Sequence, residues 1–305
     1  MSGSFSPSAT CRGRGGRALR LAPLLLSLPL CLAPGCRRGA PPPQADQPNR
    51  NTAAASAQQT AASVPDGGDL KLHYEARRSH RPRAATRAVG GGDRRELEKL
   101  IADLNERIAL PWDIAVTFED CHEANASYDP EARRLVMCHE LIDEYYDLFS
   151  RKIRDKERLD AAVRGATVST FFHELGHALI DAWRLPVTGK EEDAVDQLST
   201  LVLINRAEED EQMALDGAVA FMLYAELDKG LEKVYWDEHS LDEQRFYDTV
   251  CLVYGHNPDK YTYLVADGTL PAERAELCRE DYPRVSDSWA QLLAPYLKQP
   301  PLPHQ

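Results

Sequence analysis

The sequence predicts an α+β domain, a small antiparallel sheet with a mostly helical remainder. Three observations carry this reading: short stretches of alternating apolar and polar residues lie in the first half, turn residues separate two of them, and from about residue 139 the apolar spacing becomes helical. Leu70 to Tyr74 alternates as a strand does, and Asp93 to Ala109 places apolar side chains at 97, 100, 101, 104 and 108, the stripe of an amphipathic helix. Asp113 to Phe118 alternates again, and Arg134 to Cys138 reads as the return strand after the Asp129-Pro130 turn signal. Helical patterns follow at roughly 139–152, 159–184, 191–206, 210–229, 241–254, 259–266, 271–279 and 284–297. Ser240 with Glu243 suggests a capping box, Gly255 a helix stop and Gly230 another.

The ends of the chain have a different composition. Arg12, Arg14, Arg17 and Arg20 precede an apolar run from Leu21 to Leu32, the length of a signal-peptide core and too short to span a bilayer, so residues 1–35 read as an export signal. Ala33-Pro34-Gly35-Cys36 resembles a lipoprotein cleavage site at which Cys36 would carry lipid, making a lipid anchor the expected membrane attachment. Residues 36–69, rich in Pro, Ala, Gln, Ser and Gly, lack apolar periodicity and read as a tether, which leaves residues 70–300 as the folded domain. An exported protein meets an oxidising environment, and Cys121, Cys138, Cys251 and Cys278 form an even set within that domain. Cys121 and Cys138 flank the Asp129-Pro130 turn, so they are expected to pair, and Cys251 is then expected to pair with Cys278.

Charge excludes one class of partner. Net charge is −12, but residues 1–92 hold 13 Lys/Arg against 4 Asp/Glu, while residues 93–305 hold 23 against 44. The folded part is strongly acidic and repels phosphate backbones, so nucleic acid is not an expected partner. The basic stretch from Arg77 to Arg87 reads as a solvated loop.

The chemistry concentrates in His173-Glu174-Leu175-Gly176-His177. Two imidazoles four residues apart project from one helical face and can hold one metal ion, while Glu174, about 100° round the helix, can reach a water beside it. Between Thr170 and Ile180 Glu174 is the only acid or base apart from the histidines, as a buried active-site helix requires. Catalytic zinc commonly takes three protein donors, and the next segment offers acids. Pro186 ends the first helix, and in the second, opening at Glu191, Glu192 and Asp196 share a face away from the apolar stripe of 194, 195, 198, 201 and 202. Glu192 is the expected third ligand and Asp196 the acceptor that orients a ligand histidine, with Asp193 or Asp196 as other candidate ligands. The alternative third histidine is excluded, because Ile180 and Trp183 occupy the metzincin Gly and His positions.

These motifs resemble the gluzincin branch of zinc metallopeptidases. More narrowly, Leu185 to Asp196, the two cysteine segments and His239 to Tyr247 resemble a bacterial family of candidate metallopeptidases catalogued as DUF4344, over roughly residues 70–297. The resemblance implies a zincin-like fold, a Zn2+ cofactor and cleavage of a peptide or protein substrate. In that reading Glu174 is the general base, and a donor for the developing oxyanion comes from the downstream half: His239 first, Tyr247 second, with Tyr224 and His256 as further candidates. A non-peptidase zinc hydrolase and an exported binding or scaffold protein with a structural metal site are the competing classes; a structural site is closed by a fourth protein ligand.

Overall fold

The computed structural model describes residues 65–75, 93–207 and 210–298. The export signal, most of the tether, Cys36 and the basic stretch from Arg77 to Arg87 lie outside the described residues.

Four strands form one sheet in the order β1-β2-β4-β3, with β1 Leu70–Tyr74, β2 Ile114–Glu119, β3 Ala126–Asp129 and β4 Arg134–Cys138. The expected antiparallel sheet is corrected here: β1 pairs β2 in parallel, β2 pairs β4 in parallel, and only β3 runs antiparallel to β4. The Asp129-Pro130 turn does make a hairpin, but between β3 and β4. Asp129 Oδ1 accepts from the Glu131 and Ala132 amides, both at 2.9 Å, and Arg133 takes φ 51° to bring the chain back. The short β3, with no apolar run to announce it, thereby inserts itself as the edge strand and leaves β4 free to pair with β2. In register, Leu72, Val116 and Leu135 lie side by side, as do Tyr74, Phe118 and Met137, and Val116, Phe118, Leu135 and Met137 are fully buried.

Helix α1, Asp93–Arg107, covers β1 with Leu97, Leu100, Ile101 and Leu104. Its Asn105 side chain closes the start of β1, accepting from the Leu70 amide at 2.8 Å and donating to the Leu70 carbonyl at 3.0 Å. The helical remainder comprises α2 His139–Phe149, α3 Lys156–Trp183, α4 Glu191–Arg206, α5 Glu211–Leu227, α6 Asp242–His256, α7 Thr262–Ala266 and α8 Ala272–Leu293. No helix among the described residues is long and apolar enough to cross a membrane.

The central element is α3, which packs on α2, α4, α5 and β3. Asp155 starts it by accepting from the Arg158 amide at 2.8 Å, satisfying one of the orphan donors of the first turn. It ends where Pro186 requires: Arg184 turns left-handed, and the Arg184 and Leu185 amides bond back to Asp181 and Ile180. Trp183, the last residue, donates from its indole to the Ala109 carbonyl at 2.9 Å and stacks on Tyr296.

Three smaller expectations are corrected. The cap of α6 is Leu241 with Gln244, whose side chain accepts from the Leu241 amide at 3.2 Å, one residue beyond the Ser240 and Glu243 pair. Gly255 lies inside α6, where a Cβ would stand 2.2 Å from the Cys278 carbonyl oxygen, so glycine serves the close approach of α6 to α8 rather than a stop. The predicted break between 279 and 284 does not occur, since α8 continues through Pro283. The Cys251–Cys278 disulfide joins α8 to α6, while Cys121–Cys138 ties the end of β4 to the chain leaving β2. Both expected pairings are present in the structure.

Candidate metal centre

His173 and His177 leave α3 one turn apart, their ring centroids 5.0 Å from each other. The chain then turns back, and α4 enters with its N-terminus against α3. Gly176 permits this approach, since a Cβ there would lie 2.9 Å from Cβ and Cγ1 of the fully buried Val195. The first turn of α4 thus brings Glu192 between the histidines, with Oε2 3.1 Å from His173 Nε2 and Oε1 3.4 Å from His177 Nε2.

The outer ring nitrogens are already engaged. His173 Nδ1 lies 2.8 Å from Asp196 Oδ1, and His177 Nδ1 lies 2.8 Å from Glu191 Oε1. A carboxylate can only accept from such a nitrogen, so both Nδ1 atoms carry the proton and both Nε2 lone pairs turn inward. Among the described residues His173, His177 and Glu192 form a group that could hold a metal ion, with one potential ligand atom from each within 4.8 Å of the others.

The donor set fits such an ion on a second count. Glu192 Oε2 is buried and makes no hydrogen bond, although His173 Nε2 and His239 Nε2 stand 3.1 and 2.9 Å away. A buried carboxylate oxygen without a bonded partner is costly unless something else satisfies it, and a cation between these atoms does so. Burial opposes charge on Asp196, yet Arg245 and then His173 hold it down to about 2.

Glu174 faces a cavity of about 200 Å3, also lined by His173, His239, Asp242 and Arg245, whose wall includes Asn125 and Ala126 where edge strand β3 begins. Only 7% of Glu174 is exposed, and this burial raises its carboxyl above the ordinary value. On the opposite wall Thr170 donates to the Ala166 carbonyl at 3.0 Å, so the 2.7 Å contact with Tyr145 has the phenol as donor. His239 comes from the segment between α5 and α6. Its ring lies nearly parallel to that of His173, at an interplanar angle of 16°, and Lys190 anchors its backbone by donating to the Asp237 and His239 carbonyls.

A family model described as "Putative metallopeptidase" and named DUF4344 matches residues 79–293. The chain belongs to the DUF4344 family. Neither a curated protein nor a solved structure matches it. The DUF4344 description, that of a metallopeptidase, implies a metal and a peptide or protein substrate, and the match spans every residue of the centre described above.

Within this DUF4344 domain the expected residues separate into two groups. His173, Glu174, His177, Glu192, Asp196 and His239 converge. Tyr247 does not: it packs against the core with Phe246 edge-to-face to it, because it lies two positions, about 200° of helix, beyond Arg245, which faces the cavity. His256 bonds Tyr282 at the other end of α6, whereas Tyr224 lines the cavity.

Sequence reasoning missed Arg245, which grips both oxygens of Asp196 and packs its guanidinium over Phe221 at 4.0 Å. A basic residue near a helix start ordinarily reads as solvated, and nothing local links it to a carboxylate 49 residues away. Glu191, a weaker ligand candidate in the sequence because it projects closer to the apolar stripe of α4, lies instead against the outer nitrogen of His177. Two disulfides are what an oxidising, exported setting favours.

Proposed function

We infer that the chain is a zinc-dependent metallopeptidase of gluzincin type, with His173, His177 and Glu192 as ligands and Glu174 as general base. The observation that carries this reading is the buried Glu192 Oε2 without a hydrogen bond, faced by the inward Nε2 of His173, while that of His177 stands 3.4 Å from Oε1 and both Nδ1 atoms are committed elsewhere. Two imidazoles and one carboxylate suit zinc better than the oxygen-only preferences of calcium or magnesium. Three donors gathered among the described residues, the number that a catalytic zinc takes from its protein, favour catalysis over a structural role.

When bound, zinc supplies Lewis-acid polarisation of the scissile carbonyl and makes the attacking water more acidic. Glu174 takes a proton from that water on a carboxylate oxygen and passes it to the leaving amine nitrogen, and burial, which raises its affinity for the proton above the ordinary value, favours the acceptance. His239, whose Nε2 stands 2.9 Å from Glu192 Oε2, would donate from that nitrogen to the developing oxyanion, and Asp196 fixes the His173 ring. The edge of β3 beside the cavity offers main-chain groups to an extended peptide. In this reading the protein is exported to the bacterial envelope, held by lipid on Cys36 or released after removal of residues 1–35, and nucleic acid is not among its partners.

The test is cleavage of an unfolded protein by wild type and Glu174→Gln, with zinc measured in both. The expected result is a loss of at least about 10²-fold with zinc retained. Undiminished cleavage by Glu174→Gln would remove Glu174 from the mechanism.

A further inference from the structure

Of the eight exposed large hydrophobic side chains among the described residues, Leu227, Leu231, Val234, Tyr235 and Trp236 fall within ten consecutive positions. They occupy the end of α5 and the segment that delivers His239 to the metal centre. Trp236 is 82% exposed, Tyr235 75% and Leu231 66%, an arrangement that water disfavours and that a monomer seldom keeps without use.

The segment is tied down rather than loose. Lys233 pairs with Glu243 of α6, Lys190 holds the Asp237 and His239 carbonyls, and the Leu231 amide closes a turn on the Asp228 carbonyl at 2.9 Å. It contributes to a groove of about 770 Å3 lined by apolar Met222, Ala225, Leu231, Val234 and Leu241 together with acidic and basic side chains of the same segment and of α6. His239, Asp242 and Arg245 line both this groove and the cavity beside Glu174, so the two spaces share a wall.

We propose that this groove, with the exposed Tyr235 and Trp236 that follow Val234 in the chain, is the specificity surface of the enzyme, binding apolar side chains of an extended polypeptide whose scissile bond lies at Glu174. The proposal rests on the peptidase reading for its occupant. The shared wall identifies that occupant: a chain with its scissile bond beside Glu174 and running past His239 meets the groove, where Met222, Ala225, Leu231, Val234 and Leu241 offer apolar surface among charged side chains. The substrate class is thus an unfolded or extended segment carrying aliphatic or aromatic residues beside the cleaved bond, and Leu231, Val234 and Trp236 are specificity-determining residues that take no part in proton transfer.

The experiment measures binding of labelled peptides to the full zinc-loaded chain carrying Glu174→Gln. The peptides are identical except for a Phe-Leu or a Gly-Ser pair stepped along either side of the central bond. The apolar peptide is expected to bind about tenfold more tightly at one register, and Trp236→Ser or Leu231→Ser, added singly, to abolish the difference while leaving the Gly-Ser peptide unaffected. Both positions are exposed, and an unchanged melting temperature verifies that these variants fold. Equal affinity for the two peptides, or a preference that survives both substitutions, overturns the proposal. Parallel assays of the wild type separate the two readings. Selective binding without any cleavage leaves the groove standing and removes the peptidase, whereas cleavage without preference removes the groove alone.

Discussion

The Arg245 guanidinium holds both oxygens of Asp196, Nε to Oδ2 at 2.7 Å and a terminal nitrogen to Oδ1 at 2.9 Å, while Oδ1 also receives His173 Nδ1. One buried carboxylate is therefore fixed from α6 and in turn fixes a candidate ligand on α3. The three helices α3, α4 and α6 meet at a single side chain, so the orientation of the His173 ring depends on a residue that never approaches its Nε2.

Arg245→Leu leaves Asp196 as an uncompensated buried charge, and the expected loss is about 3–5 kcal/mol of stability by chemical denaturation. Asp196→Asn keeps the shape and should weaken zinc binding by about 10–100-fold in a competitive chelator titration. With both substitutions together the stray charge is gone, so stability should recover relative to Arg245→Leu while zinc affinity stays low. Additive losses in the double variant would show that the two residues do not act as a pair.

Gly176 is set by packing rather than by chemistry. Alanine there gains about 1 kcal/mol in helix propensity, but its Cβ meets Val195 at 2.9 Å, and a β-branched residue that is fully buried has little freedom to move aside. Overpacking should win, for a net loss of about 1–2 kcal/mol in denaturant. Because α3 and α4 must separate to relieve it, zinc affinity should fall as well. Val195→Ala in the same chain should restore both; recovery of stability without recovery of affinity would disconnect this contact from the site.

Tyr145 offers a pH test away from the ligands. Burial pushes the phenol up to about 12. A group whose folded value is raised contributes stability that is complete below its unfolded value, near 10, and is lost as pH rises through about 12. Relative to Tyr145→Phe, the wild type should therefore be more stable by about 0.5–1.5 kcal/mol at pH 8, from the hydrogen bond. Between pH 10 and 12 it should lose about 2–3 kcal/mol relative to that variant, so that the order reverses. A difference that stays constant across that range would mean that the phenol titrates normally.

Elements governed by local periodicity are legible in the sequence. The end of α3 and the start of α4 follow from Pro186 and the apolar stripe around Val195, whereas α3 begins three residues before the expected 159, at the Asp155 cap, and the spacing of His173, His177 and Glu192 already implies convergence once two helices lie antiparallel. What stays hidden depends on partners distant in sequence. Parallel pairing of β1 with β2 and of β2 with β4 leaves no trace in alternation, because a strand looks the same whichever way its neighbour runs. Pro283 reads locally as a helix break, yet it sits inside α8, where the disulfide at Cys278 and the buried Trp289 anchor the helix on both sides of the lost amide. Arg245 becomes visible only when α6 is laid across α4.

The central claim is that one cation is held by His173, His177 and Glu192. Zinc quantification on dialysed protein, combined with X-ray absorption of the bound metal, addresses it most directly. The expected result is one zinc per chain with two imidazole nitrogens and a carboxylate oxygen in its coordination, and for Glu192→Ala a loss of affinity exceeding the about 10–100-fold attached to an outer partner. Zinc bound as tightly by Glu192→Ala as by wild type, or a bound metal without imidazole ligands, would contradict it.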